Sequence, residues 1–441
     1  DLVDERRFPG IGPADHRDLQ GPGGRGAPVF VLLAILDGEY LFRRKLMQLL
    51  DCRGIDEVYL DTDSDEIAGL VDDLPVGRIV RPPELASNQT DGHELFAFEC
   101  AQVEASTYIQ ALCTAPFVDA DCVQRALDAM EAAGAASLVG VRREKQYLWG
   151  PDGPAYGWGR IPNSVDLPAS LVEAMSLYIV RAGSEPVRKR FTPDAVMFEL
   201  SPEECIDVNW PVDLELAEIV SAGRRAKENL AFQALKPYLS SAMLSDITRE
   251  MGLDCALPRQ IACADGDRVF GRAKTMALDA CREGEAWEQI YDALGSYDFV
   301  RPGDVIVVDN PVEDAAYFGN LNASLAARAG AAGAVINGLT RDRDAVRALG
   351  FPVFARGHYC ADIKYRGVVR AMNKPVRIGQ ATVANGDYVF GDSDGVVVVP
   401  RAHWKAVLAE VIKGIEREWN VGKAVAMGMP AGQILRSIGE F

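Results

Sequence analysis

The sequence predicts an α/β protein of two domains, each a sheet with helices packed against it. Short β-branched runs alternate with helical patterns along most of the chain, the mark of parallel βαβ units whose ligands bind beyond the strand C-termini. At 441 residues the chain exceeds one ordinary core, since domains run to roughly 100–200 residues. Hydrophobic residues make up 48% and charged residues 25%, a globular composition that lets each half bury its own core.

Residues 1–28 are rich in Gly, Pro and charge and read as a loop or mobile arm. The wholly apolar run Val29 to Leu36 reads as a buried strand. Gly38 to Leu50 is helical in pattern, Glu57 to Leu60 is a strand, and Asp65 to Val71 is helical again. Strand Tyr108 to Leu112, helix Ala120 to Ala133 and strand Ala136 to Val141 continue the rhythm. Residues 142–205 break it with Trp149, Trp158, several Pro and Gly, and a second apolar stretch at Leu177 to Val180, so an inserted β-arm or subdomain is expected there. Val212 to Leu239 is strongly helical and closed by Pro237, and the domain junction falls in this helix. Alternation then resumes with strand Val305 to Val308, helix Asn322 to Ala329, strand Gly333 to Ile336, helix Asp344 to Leu349 and strand Pro352 to Ala355. A strand-rich tail, Val376 to Val399, precedes a last helix from Trp404 to Glu418. The expected division is an arm over 1–28, a first domain over 29–225, a linker helix over 226–240 and a second domain over 241–441.

The formal charge of −18 argues against nucleic acid as a partner, because phosphate-backbone affinity comes from clustered Lys and Arg. Nine cysteines are scattered without a CxxC pair, which points away from disulfides and zinc clusters and toward a reducing cytoplasm. No apolar run approaches the ~18 residues of a membrane span, so neither a span nor a secretory signal is expected.

Several local motifs carry a resemblance in the first half. They are Gly38-Glu39-Tyr40-Leu41, the stretch Asp56 to Ile67 around Asp61-Thr62-Asp63-Ser64, Arg81-Pro82-Pro83-Glu84-Leu85-Ala86, Gln110 with Thr114-Ala115-Pro116-Phe117, and Ile206-Asp207-Val208-Asn209-Trp210-Pro211-Val212-Asp213. Arg160-Ile161-Pro162-Asn163-Ser164 joins them. Together they make residues 38–218 resemble the acylneuraminate cytidylyltransferase family, which activates 3-deoxy-2-ulosonic acids with CTP. The resemblance implies a nucleotide-diphospho-sugar transferase-like, Rossmann-like domain. In it Asp207, with Asn209 or Asp213 beside it, would hold Mg²⁺. Gln110 would read a pyrimidine edge or a sugar hydroxyl, Arg81 and Arg160 would grip phosphate or carboxylate bidentately, and Ser164 would contact substrate. The chemistry needs such groups, because attack of a carboxylate on an α-phosphate concentrates negative charge that a cation and cationic donors must spread. Two departures stand out. Gly23-Gly24-Arg25-Gly26 replaces the family's phosphate loop, which makes Arg25 the candidate for its catalytic basic residue, and Asn209 stands where a second aspartate is usual.

In the second half the ordered matches are Leu244-Ser245-Asp246-Ile247, Gly271 to Thr275, Pro302 to Asp309, Gly319-Asn320-Leu321, Ala331 to Asp342, Gly350 to Gly357, and Gly386-Asp387 with Asp392 to Val396. Residues 240–418 are thereby similar to the RraA and 4-hydroxy-4-methyl-2-oxoglutarate aldolase family, and an RraA-like α/β domain is implied. Asp342 would hold Mg²⁺ or Mn²⁺, Arg341 would bind pyruvyl oxygens, and amides around Gly319, Asn320 and Leu321 would take the carboxylate. The cation would act as a Lewis acid and stabilise pyruvate enolate. Alone, Arg341-Asp342 also fits a helix cap with a surface ion pair. Asn337 stands where an aspartate is usual, and Glu416 or Glu418 are candidates to complete the site.

The expected function is a bifunctional enzyme acting on 2-keto (ulosonic) acids, with CTP, a 2-keto acid sugar and pyruvate as partners. Alternatives keep the folds but make one or both domains a binding or assembly module, or give the second domain an oxaloacetate-type decarboxylation. Two-fold and three-fold interfaces together would generate a homo-oligomer from dimer to hexamer.

Overall fold

The computed structural model describes residues 33–87, 89–265 and 268–438. Arg25 and the residues 1–28 lie outside them, as does the start of the Val29 to Leu36 run. The chain divides into two compact units at Ser221 and Ala222, inside one helix.

In the first unit β1 (Tyr59–Thr62) pairs in parallel with β2 (Gly77–Val80). Strands β3 (Thr107–Ala111), β4 (Ser137–Glu144), β5 (Ser170–Arg181) and β6 (Val196–Glu199) form a four-stranded sheet in the order β6-β4-β5-β3. β6 is parallel to β4, while β5 runs antiparallel to both its neighbours. This strand lies in the segment 142–205, where the parallel rhythm was expected to break, but it is not the inserted arm expected there. Leu177, Tyr178 and Ile179 have no exposed surface, so this stretch is the middle of the sheet, covered on both faces, and not part of a projecting arm. The arm is confined to the segment before β5, where Trp149 and Trp158 pack edge to face yet stay exposed.

The helices of this unit are α1 (Leu41–Leu50), α2 (Asp65–Gly69), α3 (Gly92–Gln102) and α4 (Ala120–Ala133), followed by α5 (Pro211–Leu235), which crosses into the second unit. Local chemistry sets the bounds of α4. Asp119 accepts the Cys122 N–H at its start, and Gly134, at φ 60, ends it, a left-handed position that glycine adopts without a Cβ penalty. Cys122, Val123, Ala126 and Met130 repeat at helical spacing and form its buried face.

The second unit opens with the C-terminal half of α5 and α6 (Ser241–Glu250). Its strands are β7 (Ala262–Asp265), β8 (Val269–Ala280), β9 (Asp304–Asp309), β10 (Ala316–Phe318), β11 (Gly333–Thr340), β12 (Val353–His358), β13 (Gly367–Met372), β14 (Tyr388–Gly391) and β15 (Val396–Val399). They form a nine-stranded sheet in the order β7-β12-β11-β9-β8-β14-β15, with β10 beside β11 and β13 beside β8. The centre, β8, β9, β11 and β12, is parallel, and antiparallel strands close both edges. Alternate residues feed two cores: Ile306, Val308 and Ile336 enter one, and Val305, Val307 and Val335 the other. Burial on both faces explains why these strands are continuously apolar. α7 (Asn320–Arg328) and α8 (Arg343–Ala348) follow β10 and β11. α9 (Trp404–Ala426) runs past the expected end at Glu418, and α10 (Ala431–Ile438) follows it.

Arg225 of α5 and Asp304 at the start of β9 form a buried ion pair, with side chains 8% and 2% exposed. Asp304 Oδ2 also accepts the Arg301 N–H at 2.8 Å. Truncating Arg225 to alanine leaves that carboxylate buried without its guanidinium, so a loss of about 3–5 kcal/mol is expected; chemical denaturation of the two proteins checks it. All nine cysteines are free thiols. Among the described residues no helix is long and apolar enough to cross a membrane.

Candidate functional site

β10 and β11 are parallel neighbours, so the loops that leave them open on the same edge of the sheet. β10 ends on Gly319, which starts α7, and β11 ends on Arg341 and Asp342, which start α8. The two ends are laced together, because the Arg341 N–H and the Thr340 hydroxyl both donate to Phe318 O, at 2.9 and 2.8 Å. Asp342 has left-handed backbone, φ 58, and makes no side-chain cap bond to its own helix. Its Oδ2 instead accepts the Asn320 N–H at 3.0 Å. Asp342 therefore does not cap its own helix, and its carboxylate reaches the start of α7 instead. A Cβ on Gly319 would stand 2.6 Å from Asp342 Oδ2 and 3.1 Å from Arg341 Cγ, so any side chain there would push the Asp342 carboxylate aside.

The Arg341 guanidinium lies between two carboxylates. Nη2 is 2.7 Å from Asp362 Oδ2 and Nε is 3.8 Å from Asp342 Oδ2. Leu321 is exposed in the first turn of α7. An open cleft is lined by Asn320, Asp342, Arg343, Asp344 and Ala345. Asp342 Oδ1 has no protein partner among the described residues, and its side chain is 43% exposed. A single hard carboxylate oxygen at an open cleft suits Mg²⁺ or Mn²⁺, which take one or two carboxylates and complete their shell with water or substrate. No cluster of three or more acidic, His or Cys ligands exists among the described residues. Glu416 lies on α9 in a different cleft, with Lys413, Arg417 and Asn420. Asn337 donates from Nδ2 to Asp309 Oδ1 at 2.6 Å, so a neutral amide faces the strand-end carboxylate where a second charge would repel it.

In the first unit the Asp207 loop lies against the segment that leaves β3, since the Val208 N–H donates to Thr114 O at 2.7 Å. Asp207 Oδ2 accepts the Asn209 amide at 2.6 Å, while its Oδ1 is buried without a partner. That orphaned anionic oxygen fits a cation. Asn209 meets Asp207 as a donor, and Asp213 Oδ2 accepts the Asn209 and Trp210 N–H groups at 3.0 and 2.8 Å, fixing the start of α5. Lys45, which sequence reasoning passed over, is buried and donates to Ala115 O and Val118 O. Burial, then the neighbouring Arg44, pull its pKa down to about 7.

Arg81 and Gln110 meet a second acidic group. Arg81 donates from Nε and Nη2 to Asp61 Oδ2 at 3.0 and 2.7 Å, so part of its fork is already engaged. Gln110 Nε2 donates to Glu99 Oε2 at 2.6 Å, and Gln110 Oε1 is buried without a partner. Burial, followed by the facing Asp61 carboxyl, pushes the Glu99 pKa up to about 8. The direction favours the protonated carboxyl, the form that sits best against Asp61. No hydrogen bond or ion pair joins Arg160 or Ser164 to Gln110 or Asp207 among the described residues. Ser164 begins a short 3-10 turn, Ser164–Asp166, and Arg160 lies exposed in the loop before it.

The Glu99 shift has a sign. A folded-state pKa raised from 4.5 to about 8 means that the native state holds a proton which the unfolded chain has released. Its stability contribution is therefore complete below pH 4.5 and lost as pH rises toward about 8. A Glu99→Gln chain, unable to ionise there, should lose less stability across that window; urea midpoints at its two ends measure the difference.

Residues 241–398 match the RraA-like family model, Aldolase/RraA. Over 150 residues the chain is 33% identical to a putative 4-hydroxy-4-methyl-2-oxoglutarate aldolase of Halalkalibacterium halodurans, an overlap of 34% of this chain and 68% of that protein. The chain belongs to the Aldolase/RraA family. The aldolase/RraA segment contains Gly319, Asn320, Arg341, Asp342 and Asp362. Protein DlpA of Legionella pneumophila is 29% identical over 211 residues, 46% of this chain, but the chain spans only 34% of DlpA's length. Residues 32–148 match the Cytidylyltransferase family model, so a nucleotidyltransferase domain is fused to the aldolase/RraA domain. That match takes in Arg81, Glu99 and Gln110 and ends before Arg160, Ser164, Asp207 and Asn209. Among solved structures, CMP:2-keto-3-deoxy-manno-octonic acid synthetase complexed with CTP is similar at 16% identity and a TM-score of 0.34, over 46% of this chain and 95% of that one.

Proposed function

We propose that the chain is a bifunctional enzyme of 2-keto acids. The aldolase/RraA domain forms or splits the C–C bond between pyruvate and its aldol partner, and the cytidylyltransferase domain joins CTP to a 2-keto (ulosonic) acid. The observation that carries the reading is the meeting of Arg341, Asp342 and the Asn320 amide at the carboxyl ends of β10 and β11, where open α/β sheets bind ligands.

A 2-keto acid presents a carboxylate and a carbonyl oxygen in one plane, which suits the planar guanidinium of Arg341. Asp342, tethered through Oδ2, would hold Mg²⁺ or Mn²⁺ through its other oxygen. When bound, the cation would supply Lewis-acid polarisation of the 2-keto oxygen. Arg341 then spreads the charge that develops as the C–C bond breaks, and the exposed first turn of α7 offers amides to the substrate carboxylate. In the first domain Asp207 Oδ1 would hold the cation, and Gln110 would present an acceptor oxygen to a pyrimidine amino group or a sugar hydroxyl. The relative described as a putative 4-hydroxy-4-methyl-2-oxoglutarate aldolase makes a branched 2-keto dicarboxylic acid the first substrate to try. A homo-oligomer between dimer and hexamer and a cytoplasmic location accompany this reading.

Two assays on the full chain test it. With Mn²⁺ and candidate acids, pyruvate release is followed by coupled reduction; with Mg²⁺ and 3-deoxy-2-keto acids, pyrophosphate release is compared for CTP, UTP and ATP. Silence in the first removes the lyase half, and silence in the second leaves the first domain a binding or assembly module.

A further inference from the structure

Asp362 belongs to no motif of the sequence, yet it makes the shortest contact to Arg341, 2.7 Å between Asp362 Oδ2 and Nη2. Its backbone is pinned to the strand that ends on Gly319. Ala316 and Asp362 form a parallel bridge, the Ala316 N–H donates to Ala361 O at 2.8 Å, and the Ile363 N–H donates to Ala316 O at 3.2 Å. Ile363 is itself part of the core. The second oxygen, Asp362 Oδ1, accepts the Lys364 N–H at 2.8 Å, and the Lys364 ammonium sits over the Trp287 and Tyr365 rings at 5.0 and 4.9 Å. The carboxylate is thus held from several sides before any ligand arrives.

Arg341 and Asp342 are sequence neighbours, and an Arg and a carboxylate in contact frequently form a bidentate ion pair. Here it stays open, with Nε 3.8 Å from Asp342 Oδ2, outside hydrogen-bond range. The three groups carry a net charge of −1, one guanidinium between two carboxylates. Resting on the reading of Asp342 as a cation ligand, we infer that Asp362 is a positioning residue that draws Arg341 off Asp342 and so keeps the Asp342 carboxylate available to a divalent cation. Without Asp362 the guanidinium swings onto Asp342 and competes with the cation for the same oxygens.

The test is Mn²⁺ binding, read by the loss of free-ion electron paramagnetic resonance signal, in four full-length proteins: wild type, Asp362→Asn, Arg341→Gln and the double variant. Asp362→Asn is expected to weaken Mn²⁺ binding roughly tenfold when Arg341 is present, and by less than about twofold in the Arg341→Gln background, since the competitor is then gone. Asp362→Glu should restore most of the affinity. An equal loss in both backgrounds makes Asp362 a plain surface charge and overturns the inference, as does no loss at all. If wild type binds no Mn²⁺, the cation reading of Asp342 falls and takes this role of Asp362 with it; normal binding without coupling removes the Asp362 role alone.

Discussion

An Asp342→Asn chain should lose pyruvate-forming activity by on the order of a thousandfold, the equivalent of about 4 kcal/mol of transition-state stabilisation. Asparagine keeps the side-chain size, tolerates the left-handed backbone at φ 58, and can still accept the Asn320 N–H. It lacks only the negative charge. If the aspartate were a structural cap, the amide would serve almost as well and the rate would hardly move. Steady-state kinetics with Mn²⁺ held at saturation, beside a thermal melt showing an unchanged fold, distinguish the two. An active Asn variant would remove Asp342 from the chemistry.

The second large effect is expected at Asp207, where activity and stability should move in opposite directions. Its Oδ1 is buried with no partner, and an unsatisfied buried polar atom costs roughly 1–3 kcal/mol. Asp207→Ala removes that cost, at the expense of one contact from Asn209, so the melting temperature should hold or rise. CTP-dependent pyrophosphate release should fall by about 10²–10³-fold, the range found when one electrostatic partner of a transition state is removed. A variant that loses both activity and several degrees of stability would make Asp207 a structural carboxylate.

How far the sequence reading reached depends on where each signal resides. The order of the second unit was legible because its strands are short apolar runs between helical segments, and Gly333 to Ile336 points directly at Arg341-Asp342 just beyond. Ala120 to Ala133 was legible to the residue, since Asp119 and Gly134 punctuate it. Asp362 was not, because only the bridge to Ala316 brings it to Arg341, and an aspartate in a loop carries no local mark of that. Glu99 had the same disadvantage: an acid on a helix ordinarily faces water, and its burial against Asp61 and Gln110 is a tertiary fact. The antiparallel course of β5 was hidden for another reason. A buried apolar stretch announces a central strand, but its direction is decided by the connection, and here that connection is the aromatic segment 145–169.

Asp342 also sets stability against the proposed chemistry at a single residue. Left-handed backbone costs most residues with a Cβ about 1–2 kcal/mol and aspartate less, a cost glycine avoids altogether. A glycine at residue 342 would relieve that backbone and remove the carboxylate together, so stability and the proposed cation role pull this position in opposite directions. A glycine variant that melts higher and no longer binds Mn²⁺ would show both effects at one residue.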